Sequence, residues 1–414
     1  MLKRLFTSIV RQGTLTMIGP NGAHSTFGSG VPKVAIRFHD RRALLELGLN
    51  PDLKLGELYM DGRLTVEEGD IALLLELMIS NLTQIKPIGM LRLTRLFRDL
   101  FRKVLQLNGA ARARANVHHH YDLSRQLYEL FLDRDMQYSC AYFSEPDETL
   151  DEAQIGKKRH IAAKLHLDRA DLSVLDIGSG WGGLALDLAR DCNAKVLGVT
   201  LSEEQIALAR QRVVKAGLAE RCKFELTDYR ALEGTFDRIV SVGMFEHVGL
   251  PYYAAFFNKI RSLLADDGVA LLHTIGRSDG PGATNPWIAK YIFPGGYTPA
   301  LSEMLPAIER AGLIVTDVEV LRLHYAETLK EWRRRFKAHW DEVARLYDER
   351  FCRMWEFYLA GAEMGFRRDC LVVFQVQLAG RNDALPMTRD YMFDSERTMR
   401  FAGTEHMPHA IRAA

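Results

Sequence analysis

Cysteine is scarce and unpatterned in this 414-residue chain: Cys140, Cys192, Cys222, Cys352 and Cys370 form no CxxC pair and share no regular spacing. That excludes a disulfide framework and a thiolate zinc site, and a reducing cytoplasm is the expected compartment. Long apolar runs are missing too. Charged or polar residues interrupt every hydrophobic stretch short of the roughly 20 residues that cross a bilayer, so any membrane contact is expected to be peripheral, at the inner face. There is no surplus of one charge: 54 Lys+Arg stand against 53 Asp+Glu, and a net charge of +1 gives no field to gather a polyanion, so nucleic acid is not an expected partner. The opening MLKRLFTSIVRQG starts like an export signal, but Arg11 cuts its apolar run short and no small-residue cleavage site follows; no export is expected. What remains, 47% hydrophobic and 26% charged, suffices for one large core and a smaller one.

Three segments are expected: a small α+β unit over 1–115, a larger α/β unit over 116–380 and a polar, aperiodic, loosely ordered tail over 381–414. Alternation between residues 14 and 38 around Gly19-Pro20-Asn21-Gly22 predicts a β-meander ending in VAIRF, and LLLELMISNL at 73–82 predicts a buried helix closed by Pro87. Between Arg92 and Arg114 seven basic residues face one acid, Asp99, with apolar residues at helical spacing. Such a helix suits either an anionic lipid surface or an ordinary solvated face.

Beyond residue 150 the pattern changes to β-branched strands separated by helices. LSVLDI (172–177), KVLGVT (195–200), CKFELT (222–227), FDRIVSV (236–242), VALLHTI (269–275), LIVTDVEVL (313–321) and LVVFQVQL (371–378) are the strand candidates, and helical spacers at βαβ intervals predict a mostly parallel sheet. Two long helical patterns, 327–346 and 349–366, are expected to cap the site.

VLDI runs into Gly178-Ser179-Gly180-Trp181-Gly182-Gly183 and then a helix start, the arrangement of strand, glycines and helix that lets a nucleotide-type cofactor approach the main chain. A nicotinamide site wants an acid at the end of the next strand. Here that strand ends in Thr200, with Gln205 nearby, while Asp176 precedes the glycines and Asp228 and Tyr229 follow the third strand. This set suits S-adenosylmethionine better. The triple His118-His119-His120 invites a metal, but adjacent side chains diverge and no acid has suitable spacing.

The segments HHYDLSRQLYELFLD, MQYSCAYF, VLDIGSGWGG, GVTLSEEQ, DRIVSVGMFEHVG, LLHTIG and PWIAKYIFPGG, in order across 116–380, resemble the cyclopropane-fatty-acyl-phospholipid synthases. The resemblance implies a class I, Rossmann-like methyltransferase fold on a seven-stranded sheet. It also implies transfer of a methylene from S-adenosylmethionine to the cis double bond of an unsaturated membrane phospholipid, and a possible homodimer. Cofactor contacts are implied at Tyr138, Ser139, Asp176, Gly178, Gly180, Gly182, Thr200, Gln205, Asp228 and Tyr229. A bound bicarbonate is implied too, held by Cys140, Glu246, His273 and Tyr325 with the Ile275 backbone.

The chemistry is coherent. An alkene is a poor nucleophile, so it must be held at near-attack distance in a dry pocket, and ring closure needs a base that does not trap the carbocation. Aromatics Tyr138, Tyr142, Phe143, Trp181, Phe245, Tyr291 and Phe293 are candidates to line an acyl tunnel and face the cations. Taken singly, Cys140 reads equally as a small buried hydrophobe, His273 as a core histidine and Tyr325 as a helix-start aromatic. A family cysteine before the last strand is replaced here by Ala362, and Cys370, matching another relative's position, is expected to be structural rather than an obligatory nucleophile. Alternatives are a C-methyltransferase giving methyl-branched chains, a small-amine N-methyltransferase, and a lipid carrier with a vestigial cofactor site.

Overall fold

The computed structural model describes residues 6, 7, 9–82 and 123–405, with the side chains of 401–405 left aside. The Arg92–Arg114 stretch and the histidine triplet lie outside them.

The N-terminal unit is a four-stranded sheet of β1 (Gly13–Ile18), β2 (His24–Ser29), β3 (Lys33–Phe38) and β4 (Leu64–Glu68) in the order β2-β1-β3-β4, with helices α1 (Arg41–Leu49), α2 (Pro51–Met60) and α3 (Ile71–Leu82). It is not the expected meander. β3 pairs with β1 in parallel, across from β2. The reason is burial: β2 (HSTFGS) buries only Phe27 and is left at the edge, while the apolar KVAIRF takes the inner position beside β1.

The larger unit bears out the expected doubly wound sheet. Strands β5 (Ser173–Ile177), β6 (Lys195–Thr200), β7 (Cys222–Leu226), β8 (Phe236–Val242), β9 (Leu264–Arg277), β10 (Ile314–Leu321) and β11 (Leu371–Ala379) run in the order β10-β11-β9-β8-β5-β6-β7, parallel except around β11. α4 (Arg125–Phe131) and α5 (Leu150–Lys164) precede the sheet, and α5 starts on a Thr149/Glu152 capping box. α6 (Gly183–Asp191), α7 (Glu203–Lys215), α8 (Tyr253–Leu263), α9 (Pro286–Tyr291) and α10 (Leu301–Arg310) connect the strands.

The first expected cap helix is two: α11 (His324–Ala338) and α12 (Trp340–Leu346), broken at His339, whose Nδ1 donates to the Arg335 carbonyl at 2.9 Å. α13 (Glu349–Arg368) follows. The tail corrects the expectation of loose order: α14 (Asp390–Glu405) docks on α5, burying Met392 and Glu396. Among the described residues no helix is long and apolar enough to cross a membrane.

The two units share one core. Trp287, Trp332 and Trp355 are all but completely buried in the cluster that also holds Leu58, Met60 and Leu74. Trp287 Nε1 donates to Met60 Sδ, Tyr59 Oη to Glu356 at 2.6 Å, and Lys290 pairs with Glu57 at 2.7 Å.

Candidate active site

A cleft opens at the carboxyl ends of β5 to β8, at the point where the sheet order reverses and α/β proteins bind ligands. Its floor is the turn between β5 and α6. Gly178, Gly180 and Gly182 have φ of +80°, +53° and +84°, which only glycine adopts cheaply. A Cβ on Gly178 would stand 2.9 Å from that of Met244, and one on Gly182 would stand 2.6 Å from Phe224 Cζ, whereas nothing lies within 4 Å of Gly180. Gly182 therefore lets helix and strand approach, and Gly178 and Gly180 line the cleft.

Tyr138, Ser139, Asp176, Thr200, Gln205, Asp228 and Tyr229 also line it. Asp176 Oδ2 and Ser179 Oγ are buried without hydrogen-bond partners, and burial pushes the Asp176 carboxyl up to about 7. Thr200 Oγ1 donates to Gln205 Oε1 at 2.8 Å, which fixes that amide. Asp228 is paired through both oxygens with Arg230, at 2.9 and 2.6 Å. Tyr138 stacks on Trp332 with ring centres 5.1 Å apart, its hydroxyl 3.0 Å from that of Tyr358.

The implied anion-holding residues come from four separate places. Glu246, in the short turn after β8, takes the Ile275 N–H on Oε1 at 2.6 Å, while Oε2 is buried without a hydrogen-bond partner. Burial pushes this carboxyl up to about 7. The Ile275 N–H is thus committed to Glu246 rather than offered to an anion. His273, on β9, is kept neutral by burial, its pKa pushed down to about 3, and Gln375 Nε2 donates to its Nδ1 at 3.1 Å, leaving the ring proton on Nε2.

Cys140 is fully buried, its thiol pushed far up by desolvation, and the next residue's N–H donates to Thr328 Oγ1 at 3.0 Å, one helical turn from Tyr325 on α11. A thiol held protonated in this way is a hydrogen-bond donor rather than a nucleophile. Cys370 lies at the start of β11 beside Asp279 and Arg277, outside the cleft, its thiol pushed up to about 12.

Of the aromatic candidates, Tyr138 and Trp181 line the cleft. Phe293 packs on the cleft residue His247, whereas Tyr142 stacks between His160 and His324, and Phe245 packs among Tyr253, Phe256 and Phe257. Core packing claims these last two. Sequence reasoning missed Lys157, Gln137, Arg230, His247 and Gln375. His247 sat inside a quoted motif, but no local pattern marked Lys157 or Gln375.

A nucleotide-type cleft, with an unpaired acid and a glycine turn that a Cβ would fill, on a doubly wound seven-stranded sheet, defines a class I methyltransferase. Residues 109–376 match the mycolic acid cyclopropane synthetase family, and the chain belongs to that family. Residues 1–85 match a domain of unknown function. A probable fatty acid methyltransferase of Pseudomonas putida is 44% identical over 290 residues, covering 67% of this chain and 73% of the relative. The cyclopropane-fatty-acyl-phospholipid synthase of Escherichia coli K12 is 38% identical over 330 residues, covering 78% and 82%. The solved cyclopropane synthase MmaA2 of Mycobacterium tuberculosis superposes with a TM-score of 0.61 at 34% identity, over 64% of this chain and 98% of that one. Mycolic acid cyclopropane synthase CmaA1, solved with SAH and CTAB, gives the same TM-score and identity over 64% and 97%. The chain is an S-adenosylmethionine-dependent C-methyltransferase.

Proposed function

We propose that the protein adds a methylene across the cis double bond of an unsaturated phospholipid acyl chain, working peripherally at the cytoplasmic membrane face. Glu246 carries this reading: a buried carboxyl near neutrality, anchored on one oxygen by the Ile275 N–H and buried without a partner on the other, while His273, two residues before Ile275 on β9, is kept neutral. The names of the Escherichia coli relative and of the CTAB-bound mycolic acid cyclopropane synthase support a long-chain substrate.

S-adenosylmethionine, when bound, supplies an electrophilic methyl on sulfonium. Gly178, Gly180, Thr200, Gln205, Asp228 and Tyr229 would hold its nucleoside end, and Tyr138, Ser139 and Asp176 its amino-acid end. Cys140, Glu246, His273 and Tyr325 would hold bicarbonate, whose chemistry there is that of a small, weakly nucleophilic base. Tyr138, Trp332 and Tyr325 form an aromatic wall that excludes water and favours developing positive charge. Ring closure breaks a C–H bond of the transferred methyl, and Glu246 Oε2 is the protein atom able to take up or hold that proton.

Incubation with S-adenosylmethionine and unsaturated phospholipid vesicles should add one CH₂ per modified chain by mass spectrometry, with cyclopropane signals by NMR. Cofactor consumption without a lipid product would overturn the reading. Methyl-branched signals instead would place the chain with the fatty acid methyltransferases that it also resembles.

A further inference from the structure

Lys157 is 1% exposed yet lines the cleft. Its ammonium donates to Gln137 Oε1 at 2.6 Å and to Ser139 Oγ at 2.9 Å, both neutral oxygens. The adjacent Lys158 is, by contrast, ion-paired with Asp135 and Asp187 at 2.7 and 2.5 Å. Among the described residues Lys157 has no such ion pair, and Asp133 and Asp135 act on it only through space. A buried ammonium whose direct partners are all neutral is costly and is completed by a counter-charge in contact with it. Desolvation accordingly pulls its pKa down to about 8.

The second pole of the cleft is Asp176, whose Oδ2 is buried without a hydrogen-bond partner and which feels Lys157 through space. One end of the cleft thus presents a fixed cation and an unpaired carboxyl, the complement of an amino-acid zwitterion. Because Lys157 donates to Ser139 Oγ, the serine hydroxyl must turn its own hydrogen elsewhere. Both groups line the cleft, so an acceptor seated there would receive a hydrogen bond backed by a full positive charge.

We infer that Lys157 is the positioning residue for the α-carboxylate of S-adenosylmethionine, acting through the Ser139 hydroxyl, with Asp176 facing the α-ammonium. α5 holds the arrangement rigid: Gln154 Nε2, one turn from Lys157, donates to the Ser139 carbonyl at 2.9 Å. Methyl transfer needs the sulfonium fixed relative to the acceptor carbon, and anchoring both charges of the amino-acid end removes its rotation.

The test compares two ligands by calorimetry: S-adenosylmethionine and its decarboxylated analogue, which keeps the sulfonium and nucleoside but lacks the carboxylate. Wild-type protein should prefer the intact cofactor by about 10- to 100-fold, the range of a charge-backed hydrogen bond. Lys157→Met should cut that preference to within about 3-fold, chiefly by weakening the intact cofactor. A variant that folds and keeps the wild-type preference overturns the inference, as does one that weakens both ligands equally, the signature of a merely structural lysine. If Lys157→Met does not fold, the wild-type comparison decides: equal affinity for the two ligands would show that no fixed charge reads the carboxylate.

Discussion

Two buried carboxyls, Asp176 lining the cleft and Glu246 in the turn after β8, are both held near 7 by burial, but they serve different ends. Asp176→Asn removes a buried acid that has no partner. Because its folded pKa lies above the unfolded value, the stability linked to it is present below about pH 4 and lost as pH rises towards 7, with an upper limit of about 4 kcal/mol. The ligand-free variant should therefore melt at least about 2 °C higher than wild type at neutral pH, by calorimetry, while binding S-adenosylmethionine about 10-fold more weakly. Glu246→Gln keeps the shape and the Ile275 hydrogen bond but removes the proton acceptor. Cofactor affinity should stay within about 3-fold while turnover falls at least about 100-fold, measured as single-turnover product formation. Unchanged turnover would remove Glu246 from the chemistry.

At the scale of elements, α14 is fastened to α5 through His160, whose Nε2 lies 2.7 Å from Glu319 on β10 and whose Nδ1 lies 3.2 Å from Glu396 on α14. Lys164 also reaches Glu319, Arg400 pairs with Glu396 and donates to Ser144, and the imidazole stacks on Tyr142 at 4.1 Å. Burial opposes the charge on His160, but the two carboxylates win and its pKa is raised. The latch is therefore complete below about pH 6.5 and weakens as pH rises through the folded value. Thermal midpoints should fall across that range in wild type and fall less in His160→Gln, while hydrogen exchange in 390–405 should speed up in the variant. The tail's order was hidden from its composition because Met392 and Glu396 gain their value only against α5, a surface more than 200 residues away in sequence.

At the scale of the whole molecule, the N-terminal unit packs against α9 and α13 of the larger unit and shares its core. MmaA2 matches over 98% of its length while covering 64% of this chain. Here Met60 and Gly56 are packed on Trp287, and Glu57 is paired with Lys290. A Cβ on Gly56 would stand 2.4 Å from Trp287 Nε1, a measure of how closely α2 approaches. Deleting residues 1–82 would expose that tryptophan and one face of α13. The truncated chain should aggregate or melt at least about 10 °C lower, by light scattering and calorimetry; a soluble chain with an unchanged midpoint would show the units to be independent.

The seven strands, the glycine turn and the family were legible along the chain because each is written locally: short β-branched apolar runs, clustered glycines and short motifs survive without tertiary context. The sequence also named Glu246 and His273, though not the Ile275 and Gln375 groups that hold them. Tertiary structure alone decided that β3 joins β1 in parallel, that Tyr142 and Phe245 serve packing, and that Cys370 sits outside the cleft. It alone set Lys157 beside Ser139 and gave His273 its Gln375 partner. These depend on burial and on contacts between distant segments: a lysine on a charged helix looks solvated in the sequence, and only folding takes its water away.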